Sequence, residues 1–294
     1  MPSYGSLILP FDTTESVPSP PPVSFLPPKG TPGVVALFEP GHAASGKTGV
    51  PSTGESFADP AEEWVVATLG QPSGGFGVTN NIPSSSTQAF VERTAKGGLH
   101  AGFAQSGGTT SSYPNYSVGL GTPRRDYVTA RAAAGDTFLI ASILNITRPA
   151  KAGSSVGLPV AALRSTFALS NILNAAGTAG TNAWGFPTDS SRFVGASVEK
   201  IGNYVVVVVA AKGPMPSGWT ASNTLVLMGP RDVDTLNVVP SIDHKLTYVE
   251  NLTATGRPFA TVLAAIKADF VRRFQTVGGK YNADTWTDPL TKVA

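Results

Sequence analysis

One octapeptide matches a catalytic pattern letter for letter. Gly41-His42-Ala43-Ala44-Ser45-Gly46-Lys47-Thr48 satisfies the phosphate-binding loop G-x-x-x-x-G-K-[S/T], and it follows an apolar run, Val34–Phe38. That chemistry needs a helix starting at the Lys-Thr pair, because the helix's free amides and dipole hold the phosphates. Here the chain continues Gly49-Val50-Pro51-Ser52-Thr53-Gly54. Glycine costs about 1 kcal/mol in a helix interior, and this polar, aperiodic stretch gives a helix no apolar face. The longest apolar run, Val205–Val209, ends in Ala210-Ala211-Lys212-Gly213 rather than in an aspartate that would hold magnesium. The alternating strand–helix units of a nucleotide-binding sheet are also missing. The match reads as a coincidence in a Gly/Ser/Thr-rich chain, and the sequence implies no cofactor.

Other chemistry-bearing residues form weaker patterns. His42, His100 and His244 are far apart and show no metal-ligand spacing. No G-x-S-x-G turn is present to expose a serine nucleophile. Asp232 and Asp234 could put two carboxylates on one side of an extended segment, as calcium or a glycosidase would need, but they suit an ordinary solvated turn better. Glu62 and Glu63 read as a loop leading into a strand. Aromatic residues in Ser-, Gly- and Pro-rich surroundings are the remaining candidates: Tyr113, Asn115 and Tyr116 in one stretch, then Trp184 and Trp219. Flat rings beside amide and hydroxyl groups suit a sugar, so these five form a candidate carbohydrate-binding set. The same rings could simply close the ends of a β-sandwich.

The elements that would position such residues follow from composition. The 294 residues include 32 Gly and 25 Pro, which favour many turns and few long helices, and they can bury a sizeable core. Charged residues are only 14%, against about 25% in ordinary soluble proteins. Such a surface suits a chain packed against neighbours. A net charge of +2, with Arg124–Arg125 and Arg272–Arg273 as the densest basic pairs, lacks the basic stripe of a nucleic-acid binder. Cysteine is absent, which excludes disulfides and thiolate chemistry. No apolar stretch is long enough to insert in a membrane, and the first residues lack the basic start of a secretory signal.

Short runs with β-branched or alternating apolar residues predict strands over Val34–Phe38, Trp64–Leu69, Gln88–Arg93, Tyr127–Arg131 and Thr137–Thr147. A second set covers Ser165–Leu169, Arg192–Val198, Tyr204–Ala211, Thr224–Met228 and Lys245–Val249. Glycine-rich breaks at 74–77, 97–98, 107–108 and 119–121 separate them. The expected architecture is mainly β, a sandwich or jelly roll over residues 34–250, with Val205–Val209 as a central strand covered on both faces. From Pro258, apolar residues at Phe259, Val262, Leu263, Ile266, Phe270, Val271 and Phe274 mark one face of a helix stopped by Gly278–Gly279. That helix and a tail occupy 251–294. Residues 1–33, punctuated by Pro18, Pro20, Pro21, Pro22, Pro27, Pro28 and Pro32, read as an extended arm. Val23, Phe25 and Leu26 are its candidate contacts with another subunit.

This low-charge, cysteine-free chain with a proline-punctuated arm resembles the virion structural proteins of tailed bacteriophages. The stretch from Trp64 to Met228 is similar to the concanavalin-like (laminin-G-type) jelly rolls of phage tail and receptor-contacting proteins. The pieces that carry the likeness are Tyr127–Arg131 leading into Asp136–Arg148, and Arg192–Val198 followed by Asn203–Ala210. The resemblance implies a multimeric component of a virion (capsid, tail or baseplate) whose partners are copies of itself and other virion proteins, with host cell-surface glycan as a further one. Three readings stay open: a non-enzymatic structural protein, a lectin-like receptor-binding module, and an enzyme acting on glycans or nucleotides.

Overall fold

The five valines at 205–209 explain the layering. In a strand, successive side chains point to opposite faces. Val205, Val207 and Val209 enter one apolar cluster and Val206 and Val208 enter a second on the other side. A computed structural model, which describes residues 23–105, 114–149, 162–164, 168–171, 192–214, 220–230 and 239–293, shows what covers each face.

The strands are β1 (Val34–Phe38), β2 (Ser56–Phe57), β3 (Phe76–Asn80), β4 (Ala89–Arg93), β5 (Leu99–Phe103), β6 (Tyr116–Gly119) and β7 (Thr137–Arg148). They continue with β8 (Ala162–Arg164), β9 (Ala168–Asn171), β10 (Phe193–Ile201), β11 (Tyr204–Lys212), β12 (Thr224–Met228) and β13 (Ser241–Asn251). The helices are α1 (Glu62–Leu69), α2 (Thr122–Ala133), α3 (Leu252–Thr255), α4 (Phe259–Phe270) and α5 (Pro289–Lys292). A large antiparallel sheet runs β10-β11-β7-β13-β5-β4. Along one edge of β13, Ile242–His244 pair with β5, and Thr247–Glu250 pair with β1. A smaller antiparallel sheet runs β12-β6-β3-β2, and β8 pairs with β9.

The two sheets enclose the first cluster, which includes Phe38, Phe57, Phe76, Phe103, Tyr116 and Ile140. This is the sandwich predicted from the strand rhythm. The opposite face of the large sheet packs on α1 and α4 through Val65, Val262, Ile266 and Phe270. The amphipathic helix therefore lies across its own domain's sheet. It stops its α-helical turn at Phe270 and widens into a π turn, Val271–Gln275, before the predicted glycine stop.

Two segments expected as strands are helices. Over Trp64–Leu69 the β-branched pair Val65–Val66 suggested a strand. Glu62 and Glu63 instead occupy a first helical turn, where acidic groups complement the dipole, and Gly70 ends α1 at φ 71. Tyr127–Arg131 lies inside α2, which starts with Pro123 and runs into alanines. Two strands, β3 and β6, overlap predicted glycine-rich breaks, whereas Gly97–Gly98 does form the turn between β4 and β5. In β5, Gly102 stands opposite Phe90 of β4, and a side chain at Gly102 would collide with that ring. There the glycine is a packing solution rather than a turn. The predicted Ser165–Leu169 strand meets the described residues only in β9.

Candidate functional site

The longest wholly buried strand is also rich in polar residues. Every residue of β13 is buried, including Asp243, His244, Lys245, Thr247, Glu250 and Asn251. Burying such groups costs several kcal/mol unless they are paired. Lys245 Nζ lies 2.8 Å from Asp243 Oδ1, contacts the Asp284 carboxylate and donates to Thr94 Oγ1 at 3.0 Å. Asp284 belongs to the returning C-terminal tail, so this ion group ties the tail to the sheet. Burial pushes the Asp243 carboxyl up to about 7 against the pull of Lys245. A carboxyl near neutrality is typical of acid–base sites. This one has no solvent-exposed surface, and it joins layers. His244, buried beside Phe38, is pushed down to about 3 by burial and then by Lys245. Its Nε2 is 2.8 Å from Thr247 Oγ1. His100 bridges Glu92 and Thr147, at 2.9 Å each.

One arginine of each dense basic pair is structural as well. Arg124, wholly buried, uses all five donors. Nε bonds Val35 O at 3.0 Å, and Nη1 bonds Gly75 O at 2.7 Å and Leu120 O at 3.0 Å. Nη2 bonds Asp59 Oδ2 at 2.7 Å and Ser73 Oγ at 2.6 Å. Its guanidinium also sits 4.3 Å from the centre of the Phe76 ring. Burial raises Asp59 to about 6 even beside Arg124. Arg273 donates to Glu39 Oε1 at 2.8 Å and lies 2.6 Å from Asp269.

Around Arg273 the surface is recessed. After the π turn the chain reverses, with Gly279 N bonding Thr276 O at 2.8 Å and Tyr281 N bonding Arg273 O at 2.9 Å. A side chain at Gly279 would strike the carbonyls of Arg272, Arg273 and Thr276. The reversal faces the segment after β1, forming a pocket of about 490 Å3 lined by Val23, His42, Ala43, Arg272, Val277 and Lys280 among others. That lies within the roughly 300–1,000 Å3 of ligand pockets. Behind its wall, the buried Glu39 accepts from the lining residues Arg273 and Lys280 and from Tyr281 at 2.8 Å. Burial would raise the Glu39 carboxyl, but Arg273 and Lys280 hold it down to about 2. It stays ionised at neutral pH and has no proton to give. His42 is pushed below its ordinary value by burial, with Lys280 and Arg273 adding to the effect, and its Nδ1 accepts from Ala44 N at 3.1 Å. Arg272, Arg273 and Lys280 oppose Glu39 and Asp269, three cations against two carboxylates, and both carboxylate side chains are fully buried. The recess therefore combines apolar walls with a rim of two partly exposed cations, Arg272 and Lys280. It suits binding of an acidic, apolar segment better than proton transfer.

The structure separates the residues singled out from sequence. In the Gly41–Thr48 loop, Ala43–Ser45 form one 3-10 turn, Gly46 turns left-handed at φ 71, and the chain proceeds through turns to β2. Lys47 pairs with Glu55 at 2.6 Å. Tyr116, expected in a sugar-gripping loop, is instead the first residue of β6 with its ring wholly buried in the sandwich. It offers no face to a sugar, because the strand's alternation turns it inward. Asn115 beside it joins loops, bonding Pro230 O at 3.3 Å and Asn81 Nδ2 at 3.2 Å. Tyr113, Trp184, Trp219, Asp232 and Asp234 lie outside the described residues. Val23 and Phe25, expected against another subunit, are buried in their own chain's helix-side cluster, and Leu26 packs on it. Phe25 meets Tyr248 edge-on at 4.9 Å, and Arg257 bonds Phe25 O at 2.9 Å. The pocket was missed from sequence because its walls meet across more than 200 residues. The Arg272–Arg273 pair beside a glycine stop was the one local signal for it.

No family model matches the chain, and neither a curated protein nor a solved structure matches it.

Proposed function

We propose that this chain is a non-enzymatic structural component of a virion, assembling through its N-terminal arm and its sheet edges. The observation that carries the reading is strand β10. It pairs with β11 on one side, and among the described residues no strand pairs with its other edge. After an irregularity at its start, Gly195 to Ile201 runs in unbroken register. Phe193, Val194 and Val198 leave 41%, 41% and 38% of their surface exposed. Soluble monomers blunt such edges because free backbone groups beside apolar side chains recruit another strand. A chain that assembles uses the same edge as a contact. The low charge supports this reading, as does the use of Arg124, Lys245, Asp243 and Arg273 to tie layers together.

The test is the mass of the full chain by light scattering over a range of concentrations, beside Val194→Lys and Val198→Lys. The reading expects a defined oligomer that both substitutions weaken while circular dichroism stays unchanged. A parent that remains monomeric at every concentration contradicts it.

A further inference from the structure

We propose that the pocket between His42 and Lys280 receives the acidic, apolar segment Leu7–Glu15 of a second copy of this chain. The inference deepens the assembly reading above and rests on it.

Position is the first argument. Val23, where the described chain begins, is itself a wall of the pocket. Residues 1–22 of the sequence thus join the chain beside it. Complementarity is the second. Residues 1–22 contain Asp12 and Glu15 and no Lys, Arg or His, and just before these acids stands Leu7-Ile8-Leu9-Pro10-Phe11. The pocket presents the converse, with Val23, Ala43 and Val277 as apolar walls and Arg272 and Lys280 at a rim holding one uncompensated positive charge. Val277, at the lip, is 92% exposed, a large apolar surface with no partner in its own described chain. The prolines decide between the chain's own arm and a neighbour's. Pro18, Pro20, Pro21 and Pro22 stand between the apolar segment and Val23. Such a sequence favours polyproline backbone, which advances about 3 Å per residue without turning back. A linker of that composition favours reaching another copy's pocket over doubling back into the one beside Val23. Short linear segments laid into a preformed recess are a common recognition mode, and charge at the rim fixes their direction.

The chain's lack of cysteine makes the test direct. Two differently tagged full-length copies are co-expressed, one carrying Leu9→Cys and the other Val277→Cys, and treated with a short bis-maleimide. A parallel pair replaces Val277→Cys with Lys212→Cys. Lys212 is exposed and lies at the far end of β11 from Tyr204, which packs against the Phe274 ring of the π turn at 4.9 Å. The inference expects dimers bearing both tags from the position-277 pair at least about tenfold more than from the position-212 pair, the gain of a docked over a chance encounter. Adding Asp12→Lys and Glu15→Lys to the Leu9→Cys copy should reduce that yield severalfold at low salt and less at high salt. Equal yields from 277 and 212 overturn the inference. So does cross-linking confined to a single chain carrying both Leu9→Cys and Val277→Cys. If light scattering shows an oligomer and the 277 yields are at background, the pocket assignment falls and assembly stands. If the chain is monomeric by scattering, both fall.

Discussion

The two faces of the large sheet hold their neighbours by different means. On the sandwich side the contact is a continuous apolar cluster, with phenylalanines 38, 57 and 76 meeting edge-on at 5.2 and 5.4 Å. Its ionic knot, Arg124–Asp59, sits where α2 meets β1 and β3. On the helix side an apolar stripe of α4 is interleaved with charges: Glu39 with Arg273 and Lys280, and Lys245 with Asp243 and Asp284. Apolar contacts are non-directional and tolerate sliding. Buried ion pairs do not, because a displaced partner leaves a naked charge. The sandwich side therefore supplies cohesion. The helix side fixes where the tail and the segment after β1 sit, and these are the two walls of the pocket.

The largest effect expected from this contrast lies on the sandwich side. Arg124→Ala removes one side chain that serves five acceptors and strands Asp59. It should cost about 3–5 kcal/mol, the usual penalty for breaking a buried pair, read from urea unfolding. A cost below 1 kcal/mol would mean that the apolar cluster alone holds that end. The next effect separates the two helix-side ion groups by pH. Asp243 has a folded pKa near 7, raised above its ordinary 3.8, so the folded state binds the extra proton between those values. Its contribution to stability is therefore lost as pH rises through that window. Stability of Asp243→Asn relative to the parent should climb between pH 4 and 7, by up to about 1.4 kcal/mol per pH unit. Glu39, held near 2, works the opposite way, since its contribution is present above 4.5 and lost as pH falls toward 2. The cost of Glu39→Gln should shrink over that acid range. Parallel pH curves for the two variants would show that the helix-side charges do not act as separate groups. The smallest effect belongs to Lys47→Ala, which breaks an exposed pair with Glu55. The melting temperature should match the parent's, and ATP should bind neither protein in calorimetry.

The sequence made the sandwich legible where strands are covered on both faces or alternate cleanly, as in β1, β7, β11 and β12. It made α4 legible through its three-and-four spacing. It misled where short β-branched windows stood inside helices, as at Val65–Val66, because propensity over six residues is weaker than the capping and dipole cues around it. It hid β5 and β6 behind glycines whose role is to admit Phe90 and neighbouring backbone. β13 was legible only over Lys245–Val249. Its outer residues are mostly polar, and the partners that make Asn251 and Glu250 buriable are Tyr127 and Asp136, more than 100 residues earlier, and Arg257 just beyond the strand. The pocket was illegible for the same reason, since its chemistry exists only once the tail has returned to β1.

The claim that this chain builds a particle is tested most directly by quantitative mass spectrometry of density-gradient fractions from the cells that produce it. The account predicts the chain in the particle fraction, at a fixed multi-copy ratio to the other particle proteins across preparations. Recovery only in the particle-free supernatant, at a ratio that drifts with expression level, would contradict it.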